Sequence, residues 1–194
     1  MSTISVALSE RLATAHADAR QRFVAAGAPD DVDACRALFE AMGQKTFTVG
    51  EVPKAATLVK LSGNFLIASV IEALGEALAL VGKAGIDGRQ YLDFLTSTLF
   101  SAPVYKTYGG QIVERKFEPA GFTVPLGEKD IRLTLAAAET LRVPMPLASL
   151  LHDRLLTLLA RGGDGLDWSA IGQLAAPDAG LGDGSRTARE YGNG

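Results

Sequence analysis

Lys60 and Asn64 are the two residues whose types and spacing best suit proton transfer. They stand four positions apart, so on a helix they share one face. The surrounding sequence is strongly apolar, and burial of an ammonium group favours its neutral form, which suits a general acid or base. Asn64 could hold a substrate hydroxyl or orient the amine. A structural explanation stays open, in which Lys60 extends to the surface near the helix start and Asn64 is incidental.

A second group that could carry chemistry is Lys129 and Asp130, which we place in the first turn of a helix beginning near Glu128. Asp130 there suits the helix dipole, whereas Lys129 does not, and this would fit a role of Lys129 in binding an anion. A solvated surface charge pair explains the same pattern. Glu72 and Glu76 share a face of an apolar helix. We expect them to be structural partners of backbone or arginine groups rather than an acid/base pair.

Composition and motifs argue against several classes of function. The net charge of −3 comes with no Lys/Arg-rich run, so we expect no nucleic-acid partner. Cys35 is the single cysteine, and neither His16 nor His152 has a metal-ligand pattern around it, so we expect no metal site. The most apolar stretch is interrupted by Glu72 and Glu76, which argues against a membrane span, and no signal-peptide pattern is visible. We therefore expect a cytoplasmic protein.

The elements that must position these residues fall into two groups, of which the first resembles the end of an α/β sheet. Ser2 and Thr3 can cap a helix that runs to about Ala19. The next elements predicted are a strand at Arg22–Ala26, a turn, a helix at Asp31–Met42 and a strand at Thr46–Val49.

After Gly50 the pattern becomes helical. The sequence predicts one helix from about Pro53 to Lys83 that is apolar on nearly all sides and is therefore buried as the centre of a helical bundle. Gly63 and Gly75 would let neighbouring helices approach closely. Shorter helices are predicted near Arg89–Leu99, Glu128–Leu141, Leu147–Arg161 and Trp168–Gln173, followed by a Gly-rich, disordered tail. The predicted fold class is mainly α.

The combined motifs resemble a known family. They are Gly50, Lys60 with Asn64, Glu76-Ala77-Leu78-Ala79-Leu80, Ala84-Gly85-Ile86-Asp87 and Phe122 followed by Lys129-Asp130. In this order they resemble the helical domain of β-hydroxyacid dehydrogenases, the 3-hydroxyisobutyrate dehydrogenase-like enzymes whose C-terminal domain is similar to that of 6-phosphogluconate dehydrogenase. The resemblance covers about residues 1 to 175.

The resemblance implies hydride transfer between NAD or NADP and a 3-hydroxy acid or short semialdehyde. It implies a catalytic role for Lys60, as the acid toward a carbonyl oxygen in reduction and the base in oxidation. It implies substrate binding by Ser2, Thr3 and Asn64 and cofactor binding by Phe122, Lys129 and Asp130. The sequence does not choose between NAD and NADP.

The resemblance also implies a domain organisation. Residues 1–50 correspond to an α/β remnant of a Rossmann domain, 51–176 to the helical substrate and dimerisation domain, and 177–194 to a disordered tail. The long helix would form a homodimer or higher homo-oligomer. A G-x-G-x-x-G motif between a strand and a helix is not found, so we expect a truncated or partial chain that is inactive by itself. The alternative is a non-catalytic helical dimerisation module derived from the same family.

Overall fold

The computed structural model describes residues 5–8 and 21–182 of the 194. The chain divides into two compact units. The first comprises Met1–Leu66 with Asp130–Met145, and the second comprises Ile67–Lys129 with Pro146–Gly194. The domain boundaries near residues 50 and 176 rest on sequence alone and stay predictions.

A three-stranded sheet begins the first unit. Its strands are β1 (Ser5–Leu8), β2 (Gln21–Ala26) and β3 (Gly43–Thr48), in the order β1-β2-β3. β1 pairs antiparallel with β2, and β2 pairs parallel with β3. The helix predicted from Ser2 to Ala19 is therefore wrong at Ser5–Leu8, because these residues form a strand that pairs with β2. The remainder of that predicted helix lies outside the described residues.

Two short helices connect the parallel strands. The predicted helix at Asp31–Met42 is divided into α1 (Pro29–Ala34) and α2 (Arg36–Met42), with Cys35 at the break. Proline at the first position suits the start of α1, because its fixed φ is helical and it has no N–H to leave unpaired. The buried residues of this region form a small core of Phe23, Ala25, Val32 and Phe39, with Cys35 packed against it. Cys35 thus packs against the core of this unit.

Seven further helices make up most of the chain that the structure describes. They are α3 (Lys54–Lys83), α4 (Gly88–Ser97), α5 (Pro103–Glu114), α6 (Val124–Leu141), α7 (Pro146–Ala160), a 3-10 helix (Trp168–Gln173) and α8 (Ala175–Asp178). The predicted mainly-α fold built on one long helix is confirmed. The sequence did not predict α5 or α8.

Helix α6 begins earlier than predicted. It starts at Val124 rather than near Glu128, so Lys129 and Asp130 lie in its second turn. The helix dipole acts mainly within the first turn, so the dipole argument made for these two residues does not apply. Gly127 lets this first turn of α6 pack closely against the buried Trp168, because a Cβ on it would lie 2.9 Å from the indole ring.

Helix α3 is buried on one side only. Ala68, Ile71 and Leu74 are buried, and the missing side chain of Gly75 lets the backbone of Gly172 approach closely. Among the described residues of the single chain, nothing lies within 4 Å of a Cβ on Gly63, so the close approach predicted there is not made within this chain. The prediction of burial on all sides is also wrong for the single chain. Several large apolar residues of α3 are exposed, among them Leu58, Val59, Leu66 and Leu80.

Among the described helices, α3 is the one that could cross a membrane by length and composition. This is weak evidence, because the core helix of a soluble protein can have the same composition. Here the apolar side of the helix packs inside the second unit, and its buried carboxylate, Glu72, is ion-paired with Arg154.

Candidate functional site

A hydrogen-bonded cluster of Lys60, Asn64 and Asp130 lies within the first unit. Lys60 Nζ donates to Asp130 Oδ2 over 2.7 Å. Asn64 Nδ2 donates to the same oxygen over 2.6 Å. Lys60 and Asn64 therefore share one face of α3, as their spacing predicts, and α6 supplies the carboxylate that faces them.

Burial differs sharply across this cluster. The side chain of Asp130 is 1% exposed, whereas that of Lys60 is 28% exposed. A buried carboxylate is stable as an ion only when donors surround it, and here an ammonium and an amide share one oxygen. Lys60 is thus held on one side by a buried counter-ion and reaches solvent on the other. This geometry argues against the explanation that Lys60 merely extends to the surface.

The position of Asp130 is fixed by its own helix. Thr134 Oγ1 donates to the Asp130 carbonyl oxygen over 2.8 Å, one turn further along α6. Ile131, the next residue, is completely buried. The bond from Thr134 lies within α6 and turns with it, so the burial of Ile131 is what limits rotation of the helix and keeps the carboxylate directed at Lys60.

The chemistry available to this cluster is proton transfer at Lys60 Nζ. An ammonium has three N–H donors, of which Asp130 Oδ2 accepts one. The exposed part of the side chain can direct another donor toward a bound oxygen atom. Asp130 and Asn64 hold the amine in place while this happens, which is the arrangement that a general acid needs.

The other residues predicted to bind a cofactor have different surroundings. The Phe122 ring is 8% exposed and packs edge-on against Trp168, with ring centroids 4.9 Å apart. This burial favours a packing role for the ring. Lys129 is exposed, so its ammonium could reach an anion. Asp130 contacts Lys60 and Asn64 and thus belongs to the same hydrogen-bonded cluster.

Asp167 is a residue whose importance the sequence analysis missed. It is 2% exposed, and its Oδ2 accepts hydrogen bonds from the backbone N–H groups of Gly121 and Phe122, each over 3.0 Å. Its Oδ1 accepts from Ser169 N, which caps the 3-10 helix. Asp167 therefore fixes the segment before α6. The signal in the sequence was an aspartate one residue before a helix, the usual position of a cap.

Two other predictions have different outcomes. Ser2 and Thr3, predicted to bind substrate, lie outside the described residues. Over residues 5–8 and 21–182, no group of three or more His, Cys, Asp or Glu side chains is placed to hold a metal ion. His152 Nε2 lies 3.2 Å from Glu128 Oε1, a pair between α7 and α6 in the second unit.

A second charged cluster links α3, α7 and α8 within the second unit. Arg154 Nε lies 2.7 Å from Glu72 Oε1, and Arg154 Nη1 donates to Asp178 Oδ2 over 2.6 Å. Glu72 is 4% exposed. The prediction that Glu72 has an arginine partner is confirmed. Burial raises the pKa of Glu72 despite this partner, whereas the hydrogen bond from Arg154 lowers the pKa of Asp178.

These shifts predict how Glu72→Gln changes stability with pH. Because the pKa of Glu72 is raised in the folded state, folding favours its protonated form, and this contribution is lost as the pH rises through the raised pKa. We therefore expect Glu72→Gln to become more stable relative to the wild type as the pH rises above the ordinary glutamate value of 4.5. Urea unfolding at several pH values measures the difference.

The control is Glu76→Gln, which removes an exposed carboxylate one turn further along α3. This variant should not reproduce the same trend. A Glu72→Gln protein that loses stability relative to the wild type across this window would show that the ion pair with Arg154, rather than burial, dominates at Glu72.

Comparison with known proteins identifies the family. A family model for the NAD-binding domain of NADP-dependent 3-hydroxyisobutyrate dehydrogenase matches residues 55–175. This segment covers α3 to the 3-10 helix and includes Lys60, Asn64 and Asp130. The chain therefore belongs to the 3-hydroxyisobutyrate dehydrogenase family of β-hydroxyacid dehydrogenases.

Individual relatives agree with this assignment. The uncharacterised oxidoreductase YfjR of Bacillus subtilis is 40% identical over an alignment of 190 positions, which covers 88% of this chain and 66% of the relative. The 2-hydroxy-3-oxopropionate reductase of Escherichia coli is 32% identical over 136 residues, 70% of this chain and 46% of the relative. The chain thus spans between about half and two thirds of the length of these relatives.

A solved structure supports the fold. The crystal structure of 3-hydroxyisobutyrate dehydrogenase from Salmonella typhimurium superposes on this chain with a TM-score of 0.79. The superposition covers 89% of this chain and 60% of that protein. The sequence identity is 22%, so the likeness speaks for the fold alone. It confirms the predicted mainly-α fold.

Proposed function

We propose that this chain is the helical part of an NAD(P)-dependent oxidoreductase of the β-hydroxyacid dehydrogenase type. As a truncated or partial chain, it would serve hydride transfer between NAD or NADP and a 3-hydroxy acid or short semialdehyde. The observation that carries the proposal is the contact of Lys60 Nζ with the buried Asp130 Oδ2, supported by Asn64 on the same oxygen. An amine held in this way can give up and regain a proton at one fixed position.

In the reducing direction, Lys60 donates a proton to the substrate's carbonyl oxygen as that oxygen gains negative charge. NAD(P)H supplies the hydride to the carbonyl carbon when it is bound. The neutral amine stays hydrogen-bonded to Asp130, and its exposed side lets water return the proton. In oxidation Lys60 acts as the base. Asn64, with Ser2 and Thr3, holds the hydroxyl and carboxylate groups of the substrate.

The residues of this chain suit only part of a dinucleotide. Lys129 is exposed and could lie beside a phosphate, while the buried Phe122 would support the segment that leads to it. The pyrophosphate needs a Gly-rich turn between a strand and a helix. Within the part of the chain that the structure describes, no strand is followed by such a motif. Cofactor binding therefore requires a nucleotide-binding domain in addition to these residues.

The direct test assays the chain alone and fused behind the Rossmann domain of a related dehydrogenase. Oxidation of NADH and NADPH is followed with 2-hydroxy-3-oxopropionate, the substrate named for the Escherichia coli relative, and with short semialdehydes. We expect turnover from the fusion and none from the chain alone. A folded fusion that binds NADPH but turns over no aldehyde would favour the non-catalytic alternative.

Asp130→Asn is expected to lower kcat of this fusion by about 10- to 100-fold, the effect typical of removing a charged supporting partner from a reactive group. Asparagine keeps the shape of the side chain but removes the negative charge opposite Lys60. Asp153→Asn, at a side chain that is 83% exposed, is the matched control. Equal kcat in both variants would mean that Asp130 has no part in catalysis.

The alternative, a helical dimerisation module, is favoured by the exposed apolar residues of α3. Leu66 is 60% exposed and Leu80 is 74% exposed, which is unusual for residues of a long apolar helix. A second copy of the chain would cover them.

Sedimentation should give a dimer or larger homo-oligomer for the wild type and a smaller species for Leu66→Lys. The control is Leu38→Lys, at a residue of α2 that is 56% exposed, and it should sediment like the wild type. A monomeric wild type contradicts this part of the proposal.

The same proposal places the protein in the cytoplasm, without membrane or nucleic-acid partners. The family assignment and the single cysteine support it. Cell fractionation with an antibody against the chain tests the location.

A further inference from the structure

The second unit contains a cavity of about 690 Å³. Its walls come from the C-terminal half of α3, the start of α4, the ends of α5 and α7, and the 3-10 helix with the residues after it. A cavity of about 300–1000 Å³ is typical of sites for small organic ligands. None of the cluster residues Lys60, Asn64 and Asp130 lines it. The cavity is therefore separate from the proposed proton-transfer site.

The floor of this cavity is apolar. It includes aliphatic side chains from five separate segments: Leu78, Ile112, Leu158, Leu166 and Leu174. The close contact of Gly75 with Gly172 forms part of the same wall. Water gains little from such a surface, so an aliphatic group would gain free energy by replacing it.

The charged residues that line the cavity are mainly basic. Three arginines, Arg89, Arg115 and Arg161, reach it from three different elements, and Asp87 is the one acidic residue in the lining. Asp87 already caps α4 by accepting a hydrogen bond from Gln90 N. The charged side chains that line the cavity therefore favour an anion.

Two of these arginines make side-chain contacts that are weak. Arg115 Nη2 lies 3.5 Å from Gln173 Oε1, a neutral acceptor. Arg89 pairs with Glu114, but both side chains are about half exposed, and such a pair is weak in water. The planar fork of a guanidinium matches the oxygen atoms of a carboxylate or phosphate.

We propose that this cavity binds an amphipathic anion, with an aliphatic body on the leucine-rich floor and a carboxylate or phosphate head at the arginines. The apolar floor disfavours a small inorganic anion as the main ligand, and the three arginines disfavour an amine. This binding site is independent of the dehydrogenase chemistry, so its test needs no turnover.

The test measures binding to the whole chain by titration calorimetry with octanoate and octyl phosphate. Octylammonium tests the sign of the charge, and acetate and inorganic phosphate test the head group alone. We expect saturable binding of one octyl anion per chain. The octyl anion that binds more tightly identifies the preferred head group, carboxylate or phosphate. Absence of saturable binding by both, or equal binding of octylammonium, overturns the proposal.

Variants locate the site. Arg161→Gln and Arg115→Gln should each weaken binding about tenfold, as loss of a charge-assisted hydrogen bond predicts. Val113→Phe should weaken it by filling the cavity. Lys106→Gln removes an exposed cation of α5 outside the cavity and should leave binding unchanged. If Lys106→Gln weakens binding as much as the arginine variants, or if inorganic phosphate binds as tightly as octyl phosphate, the assigned site is wrong.

Discussion

Lys60→Arg is expected to lower kcat of the Rossmann-domain fusion by about 10²- to 10⁴-fold, the usual contribution of a general acid, and to leave the fold intact. Arginine keeps a positive charge opposite the buried Asp130, so the ion pair can persist. A guanidinium does not release its proton in proteins, so it cannot protonate the carbonyl oxygen or serve as the base in oxidation. The variant therefore tests the proton-transfer role of Lys60 separately from its positive charge.

Two further variants make this result decisive. Lys60→Met removes the charge as well, which leaves Asp130 buried with Asn64 as its partner, so we expect lower stability in addition to lost turnover. Lys54→Arg changes an exposed lysine at the start of the same helix and should have no effect on kcat. Circular dichroism and thermal unfolding check the fold of each protein. If Lys60→Arg turns over substrate like the wild type, Lys60 is not the acid.

The sequence predicts that Lys60 and Asn64 lie together, but not that Asp130 faces them. The spacing of Lys60 and Asn64 places them on one face of a helix. Helix α3 itself is predicted within one residue of its observed bounds, because no proline interrupts it. The counter-ion is 70 positions away from Lys60 along the chain. No local pattern connects such distant residues. The sequence therefore singles out Asp130 beside Lys129, but it does not show that Asp130 pairs with Lys60.

Other differences have the same physical origin. Helix α5 contains Gly109 and Gly110, which are poor helix formers, yet Tyr108 and Ile112 are buried by packing that the local sequence does not reveal. Burial of α3 on all sides was inferred from composition. Composition cannot distinguish a helix face that the same chain covers from a face that a second chain would cover. Packing between distant segments, rather than local propensity, decided each case.

Gly75→Ala and Gly63→Ala should change stability in opposite directions, although both replace a glycine in the middle of α3. A Cβ at Gly75 would lie 2.2 Å from the backbone oxygen of Gly172, and 2.5 and 2.7 Å from its Cα and carbonyl carbon. These are backbone atoms of the buried 3-10 helix, so they cannot rotate away as a side chain could. Overfilling a packed core typically costs about 1–3 kcal/mol. We expect Gly75→Ala to reach at least the upper end of that range.

Gly63 provides the matched control, because a Cβ there meets nothing within 4 Å. Alanine at an open helix position stabilises by about 0.5–1 kcal/mol, since glycine loses more backbone entropy on folding. Urea unfolding of both variants measures the two effects on one scale. Equal stability of the two variants would mean that α3 does not pack on Gly172. A loss at Gly63 that grows with protein concentration would instead place a second copy of the chain against this part of the helix, because only an assembled face could then reject the added methyl group.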